Sequence, residues 1–200
     1  MLNFDFSKVY VLEDDFVKLR PLQMNDIEHL LDIANEPGIW DYSFIKGDGE
    51  ERLTAYIKTA ITNRKAKKEY PFIVYDKIKD QYAGSTRYCE ISSILSAIRL
   101  GYTWYGSAFR GTGLNKHCKY LLFEFAFETM GAQRIGLGSY VENKVSIAAM
   151  QSVGCEQEGV LRGVFPAING EGRTDGVLLS ILKDEWLAEE KAKLKAKFKV

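Results

Sequence analysis

The stretch WYGSAFRGTGLNKHCKYLLFEFAFETMG, Trp104 to Gly131, decides how this chain is read. Its aromatic start is the end of a strand. Arg110, Gly111 and Gly113 then make a basic, glycine-containing corner that opens directly into an amphipathic run. Leu114, Cys118, Leu121, Leu122, Phe125, Ala126 and Thr129 fall on one helix face, and Gly131 is a stop. A helix N-terminus leaves four N–H groups without partners and carries a partial positive charge. Glycines before it let an anion approach the backbone. The corner therefore reads as a pyrophosphate cradle with Arg110 and Lys116 as fixed cations. The plainer alternative is a glycine-rich turn with solvated basic residues.

Two familiar phosphate loops do not fit the spacing. Gly106 and Gly111 have the separation of G-x-x-x-x-G-K-[ST], but Thr112 stands where the lysine is needed. Gly111 and Gly113 begin a G-x-G-x-x-G pattern, but Lys116 takes the third glycine position, and no parallel unit starts from the first strand.

Working outward, FVKLRPL (Phe16 to Leu22) alternates as a first strand. A helix capped by Asn25 or Asp26 follows, with Ile27, Leu30, Leu31 and Ala34 in helical register, and a second spans Glu50 to Lys68. YPFIVYD, YAGSTRYCEIS and AIRLGYTWY are strands with short polar joints, which argues for antiparallel pairing. Beyond the corner helix come the strand QRIGLGSYV, a helix from Asn143 closed by Gly154, and the strands CEQEGVLRGVF and TDGVLLSILKDEW. This order predicts an α+β fold with one strand–helix–strand crossover. The expected division is an N-terminal extension over 1–15, one domain over 16–186, and a basic tail over 187–200 that is helical near its start and then frayed.

Composition narrows the function classes. The chain has 200 residues, with 46% hydrophobic, 27% charged, and equal acidic and basic counts of 27 each. Such a balance gives no case for nucleic acid. No stretch approaches the roughly 20 apolar residues of a membrane span, and the start lacks a secretory pattern. Three separated cysteines suit reduced thiols in the cytoplasm, and two histidines do not make a metal site. No metal, nucleic acid or membrane partner is expected; a homodimer is allowed for.

RGTGLN (Arg110 to Asn115), preceded by LGYTWY and followed by ENKVSIAAMQSVGCEQEGVLRG, resembles the GCN5-related N-acetyltransferases (GNAT family), and within them the RimJ/RimL-like group. The likeness covers roughly Phe16 to Trp186. Arg110 and Gly113 match the family's Q/R-x-x-G-x-G/A signature, and Asn115 departs from it where Gly or Ala is usual. The resemblance implies a mostly antiparallel mixed sheet with flanking helices, splayed beside the strand pair that holds acetyl-CoA. It implies pyrophosphate binding by the backbones of Arg110, Gly111, Thr112, Gly113, Leu114 and Asn115. The pantetheine arm would run along Tyr102, Trp104 and Tyr105, with Asn143 and Ser146 beside it.

Acetyl transfer from a thioester to an amine needs a neutral amine, a polarised carbonyl and a proton for the leaving sulfur. Many family members place a tyrosine acid where this chain has Met150, which has no proton to give. Ser146 is the expected substitute and Tyr140 the second candidate. Glu90 is the first candidate base, followed by Asp175 and Glu171. The acceptor, a protein N-terminus or a small amine, would meet Trp40, Tyr42 and Phe44 from the loop between the first two helices, and Asp175 from PAINGEGRTD and its border. A reading of another class is a CoA-binding regulatory or assembly module without turnover, which the missing tyrosine motivates.

Overall fold

The computed structural model describes residues 2–198. Eight strands form one sheet: β1 (Leu12–Glu13), β2 (Val17–Pro21), β3 (Tyr70–Asp76), β4 (Gln81–Ser92), β5 (Ala97–Tyr105), β6 (Arg134–Tyr140), β7 (Glu156–Pro166) and β8 (Arg173–Leu182). Their spatial order is β1-β2-β3-β4-β5-β6-β8-β7. Every neighbouring pair is antiparallel except β5 and β6. The α+β expectation holds.

The helices are α1 (Ile27–Ala34), α2 (Glu50–Lys65), α3 (Leu114–Glu124), α4 (Lys144–Ser152), α5 (Lys183–Glu185) and α6 (Lys191–Ala196). β3, read from YPFIVYD, is buried along nearly its whole length. Its β-branched and aromatic residues suit a central strand covered on both faces. On one face of the sheet Tyr56 of α2 meets Trp104 edge-on, and on the other Tyr88 donates to the Leu122 carbonyl of α3 at 2.5 Å.

Three expectations need correction. The residues taken as an extension are part of the packing: β1 pairs with β2, and Phe4 stacks on Tyr10 and meets Tyr70 edge-on. The final strand ends at Leu182 instead of Trp186. There the Glu185 carboxylate accepts the Leu182 N–H at 2.8 Å, and acidic residues occupy the first turn of the following helix, where they favour helix entry. Helix then continues through a π-turn at Trp186–Glu190 into α6, so the tail is ordered to Ala196. Lys199 and Val200, expected to fray, lie outside the described residues.

The same segment explains why α3 is buried nearly all round instead of on one stripe. Trp186 is fully buried and its ring lies 5.5 Å from that of Tyr120, Phe198 stacks on His117 at 3.8 Å, and Lys191 bridges Glu124 and Glu128. Burying one large side chain of this kind contributes about 1.5–3 kcal/mol. The wrap fixes α3, and α3 carries the corner.

Candidate active site

The sheet splits beside the corner. β5 and β6 pair only through Ala97–Arg99 and Arg134–Gly136. Beyond that, β5 stays with β4 to Tyr105, and β6 stays with β8 to Tyr140. The cause lies in β5. Gly101 and Trp104 sit opposite Arg87 and Ser85, so Tyr102 and Thr103 stand against Thr86 alone, and Tyr102 takes φ 52°. A bulge of this kind bends and twists its strand. Gly84 permits the arrangement: a Cβ there would come within 2.0 Å of the Trp104 carbonyl oxygen.

After β5, a short 3₁₀ turn at Ser107–Phe109 leads into the corner. Gly111 and Gly113 adopt φ 73° and 100°, and a Cβ built on either would meet nothing within 4 Å. Both are thus demanded by backbone conformation, with open space before them. Among the described residues, the N–H groups of Gly111, Thr112, Gly113 and Asn115 donate to no protein carbonyl, and that of Leu114 reaches only the Thr112 hydroxyl, at 3.4 Å. Arg110 folds back, its Nε donating to the Tyr105 carbonyl at 3.0 Å. A cavity of about 290 Å³ adjoins the corner, lined by Thr112, Gly113, Leu114 and Lys79.

Across the gap, the Asn143 side chain caps α4 by accepting the Ser146 N–H at 3.1 Å. Ser146 is half-buried on the first turn, and its hydroxyl hydrogen-bonds no protein group among the described residues. Met150, one turn on, is buried in the core. Tyr140 ends β6 against Phe165, with ring centroids 4.8 Å apart. Burial, helped by the Glu142 charge, raises its phenol pKa and keeps it protonated.

Other expected residues divide. Tyr42 and Phe44 are exposed, facing Tyr140 and Phe165 respectively. Trp40 is buried instead of on the lip; it donates to the Ala34 carbonyl at 2.8 Å and packs on Trp104. Trp104 and Tyr105 are buried as well, so only their backbone reaches the gap, while Tyr102 is half-buried. Glu90 is exposed at the closed end of the split and pairs with Arg99 at 3.2 Å. Asp175 accepts the Gly163 N–H at 2.7 Å and steadies the β7–β8 hairpin. Glu171 lines an open cavity of about 460 Å³ with Glu142, Arg173 and Thr174. Cys89, Cys118 and Cys155 are buried free thiols whose pKa burial pushes up to about 12, far from thiolate chemistry.

Two groups escaped the sequence reading. Arg87 of β4 is buried between the rings of Tyr56 and Tyr102 and pairs with Glu69 at 2.8 Å. Its inward position followed from the alternation Ser85, Arg87, Cys89, but that pattern does not normally accommodate a cation. Lys119 of α3 is buried beneath β5, where its Nζ donates to the Thr103 hydroxyl at 3.1 Å. It stands three and four residues before Leu122 and Phe123, a core-facing spacing.

A split sheet beside an anion-ready helix start has room for an extended, phosphate-bearing ligand. A family model for the acetyltransferase (GNAT) domain matches residues 17–156. The chain belongs to the GNAT family and is an N-acetyltransferase. Solved structures agree in fold. A T. thermophilus protein assigned as an acetyltransferase is 26% identical, with TM-score 0.85 and 100% of both chains covered. A GCN5-related N-acetyltransferase from Brucella melitensis gives 0.86 at 20% identity over 98% of this chain and 88% of its own. Mycobacterium smegmatis RimJ in complex with CoA-disulfide gives 0.77 at 19% over 94% and 93%, a likeness of fold. A search of curated proteins gives no sequence match.

GNAT acetyltransferases use acetyl-CoA, and the residues here fit it: unpaired N–H groups and two open glycines leave room for a phosphate, and the β5 edge is free for an extended arm. Among the described residues, no group of three or more His, Cys, Asp or Glu could hold a metal ion, and no helix is long and apolar enough to cross a membrane.

Proposed function

We propose that the protein moves an acetyl group from acetyl-CoA to a primary amine, a peptide N-terminus or a small amine, by direct attack in the cytoplasm. The observation that carries this reading is the N–H groups of Gly111, Thr112, Gly113 and Asn115, unpaired among the described residues, beside the split of β5 from β6. Those groups hold the pyrophosphate. The exposed edge of Tyr102 to Tyr105 hydrogen-bonds the pantetheine amides, and Asn143 orients the start of α4 toward it. Acetyl-CoA supplies the activated acetyl group. Ser146 gives a proton to the departing sulfur, with the protonated Tyr140 phenol as the second donor. The amine enters over Tyr42 and Phe44, whose aromatic faces suit a cation with apolar attachments. Glu90 serves as base once it is released from Arg99, with Asp175 behind it. Acetyl-CoA consumption against peptides, polyamines and aminoglycosides tests the proposal; a folded protein that turns over none of them overturns it.

Two variants test the cradle. Gly113→Val forces a β-branched residue to φ 100° and aims its methyls into the open space. Acetyl-CoA affinity should fall at least tenfold, about 1.4 kcal/mol, and unchanged affinity in the folded variant would place the pyrophosphate elsewhere. Arg110→Ala should weaken CoA more at low salt than at high salt, because exposed charge is screened within about 10 Å at 0.1 M. A loss independent of salt would mean that the Arg110 bond to Tyr105 supports the fold instead.

A further inference from the structure

Lys119 is a buried lysine that has no counterion among the described residues. Its residue is 4% exposed, and its single hydrogen bond goes to Thr103, which shares a second one with Thr86 at 2.7 Å. The titratable groups facing it are the Cys118 thiol on its own helix and the Cys155 thiol before β7. Both thiols stay neutral, since burial pushes each up to about 12. Among the described residues no carboxylate forms an ion pair with it. Thr103 belongs to the bulge that opens the split, and Lys119 lies about 8 Å along the α3 axis from Leu114 at the cradle. This buried amine ties α3, whose start is the cradle, to the β5 bulge that opens the split.

We propose that Lys119 is the buried countercharge of the CoA groove and takes up a proton when the polyanionic cofactor binds. The inference rests on the reading that the corner receives CoA. Burial brings the Lys119 pKa down to about 8, so the amine is partly neutral at mildly alkaline pH before binding. A negative charge brought into the groove favours the ammonium form and raises such a pKa. Binding and protonation are thereby linked: the cofactor draws in a proton, and losing that proton weakens the cofactor.

Titration calorimetry with acetyl-CoA, whose sulfur bears no ionisable proton, reads this directly. At pH 8.0, in two buffers of different ionisation enthalpy, the wild type should take up a measurable fraction of a proton per cofactor bound, and Lys119→Met none. Wild-type affinity should weaken several-fold to about tenfold from pH 7 to pH 9.5. Lys119→Met should be weaker than wild type at pH 7 by a similar factor and flat with pH, and Lys119→Arg should keep tight binding without the pH dependence. A wild type that binds acetyl-CoA without proton uptake, or a folded Lys119→Met with unchanged uptake, overturns the inference and leaves the cofactor reading intact. A folded wild type that binds no acetyl-CoA overturns both.

Discussion

Ser146→Ala should lower turnover by roughly tenfold to a thousandfold, the range for removing one proton donor that water partly replaces, while acetyl-CoA affinity stays nearly constant. The hydroxyl lies on the first turn of α4, half-buried, and no protein group among the described residues accepts or donates to it. A hydroxyl inside a helix usually bonds back to the preceding turn. This one does not, whereas Ser152 on the same helix does, donating to the Ala149 carbonyl at 2.8 Å. The Ser146 hydroxyl is thus left available to a ligand. Met150 offers no alternative donor, and it points into the core. Met150→Tyr in the Ser146→Ala background therefore has to displace packed neighbours, at about 1–3 kcal/mol of stability, and should restore activity only in part. Full activity of Ser146→Ala would move the acid role to Tyr140. Loss of acetyl-CoA binding instead would make the hydroxyl a structural group.

The glycine corner and the start of α4 were legible because local rules govern them, whereas the split was expected only from the family resemblance. Positive φ at Gly111 and Gly113 is a glycine property, and α4 begins at Asn143 because its side chain caps the Ser146 N–H. The strands YPFIVYD and AIRLGYTWY were read to their observed ends, Tyr70–Asp76 and Ala97–Tyr105, because polar joints bound both. What escaped depends on distant parts of the chain. Trp40 looked like a loop aromatic, yet Ala34 and Trp104 draw it inward. KDEW reads as the end of the last strand, but the Glu185 cap and the burial of Trp186 against α3 turn it into helix. Arg87 and Lys119 were invisible as buried cations, because solvation is assigned to Lys and Arg by default and only the fold shows what covers them. Glu90 reads as a strand carboxylate near the chemistry, but its position relative to the split is set by where β5 leaves β6.

Lys119→Met should raise stability at pH 7 by on the order of 1 kcal/mol or more, seen as a melting temperature higher by several degrees. The unfolded side chain titrates at 10.5 and the folded one at about 8. Below about pH 8 the folded protein must therefore hold an ammonium that burial disfavours, and the full penalty applies. Between about 8 and 10.5 the unfolded state binds more protons than the folded one, so wild-type stability rises with pH through that window. Above it the penalty is gone. Lys119→Met removes the charge at every pH and fills the same volume with an apolar chain, while Thr103 keeps Thr86 as a partner. Its gain should therefore be largest at neutral pH and fade by about pH 10.5. Denaturant unfolding of both proteins at pH 7 and pH 10 checks this without any ligand. A variant destabilised at pH 7, or a gain that does not change with pH, would mean that the Lys119 hydrogen bond to Thr103 matters more than its charge. The expected pattern, a more stable protein that holds its cofactor less well, separates a binding group from a packing group, because a lysine kept only for the fold gives no reason for stability to rise when it is removed.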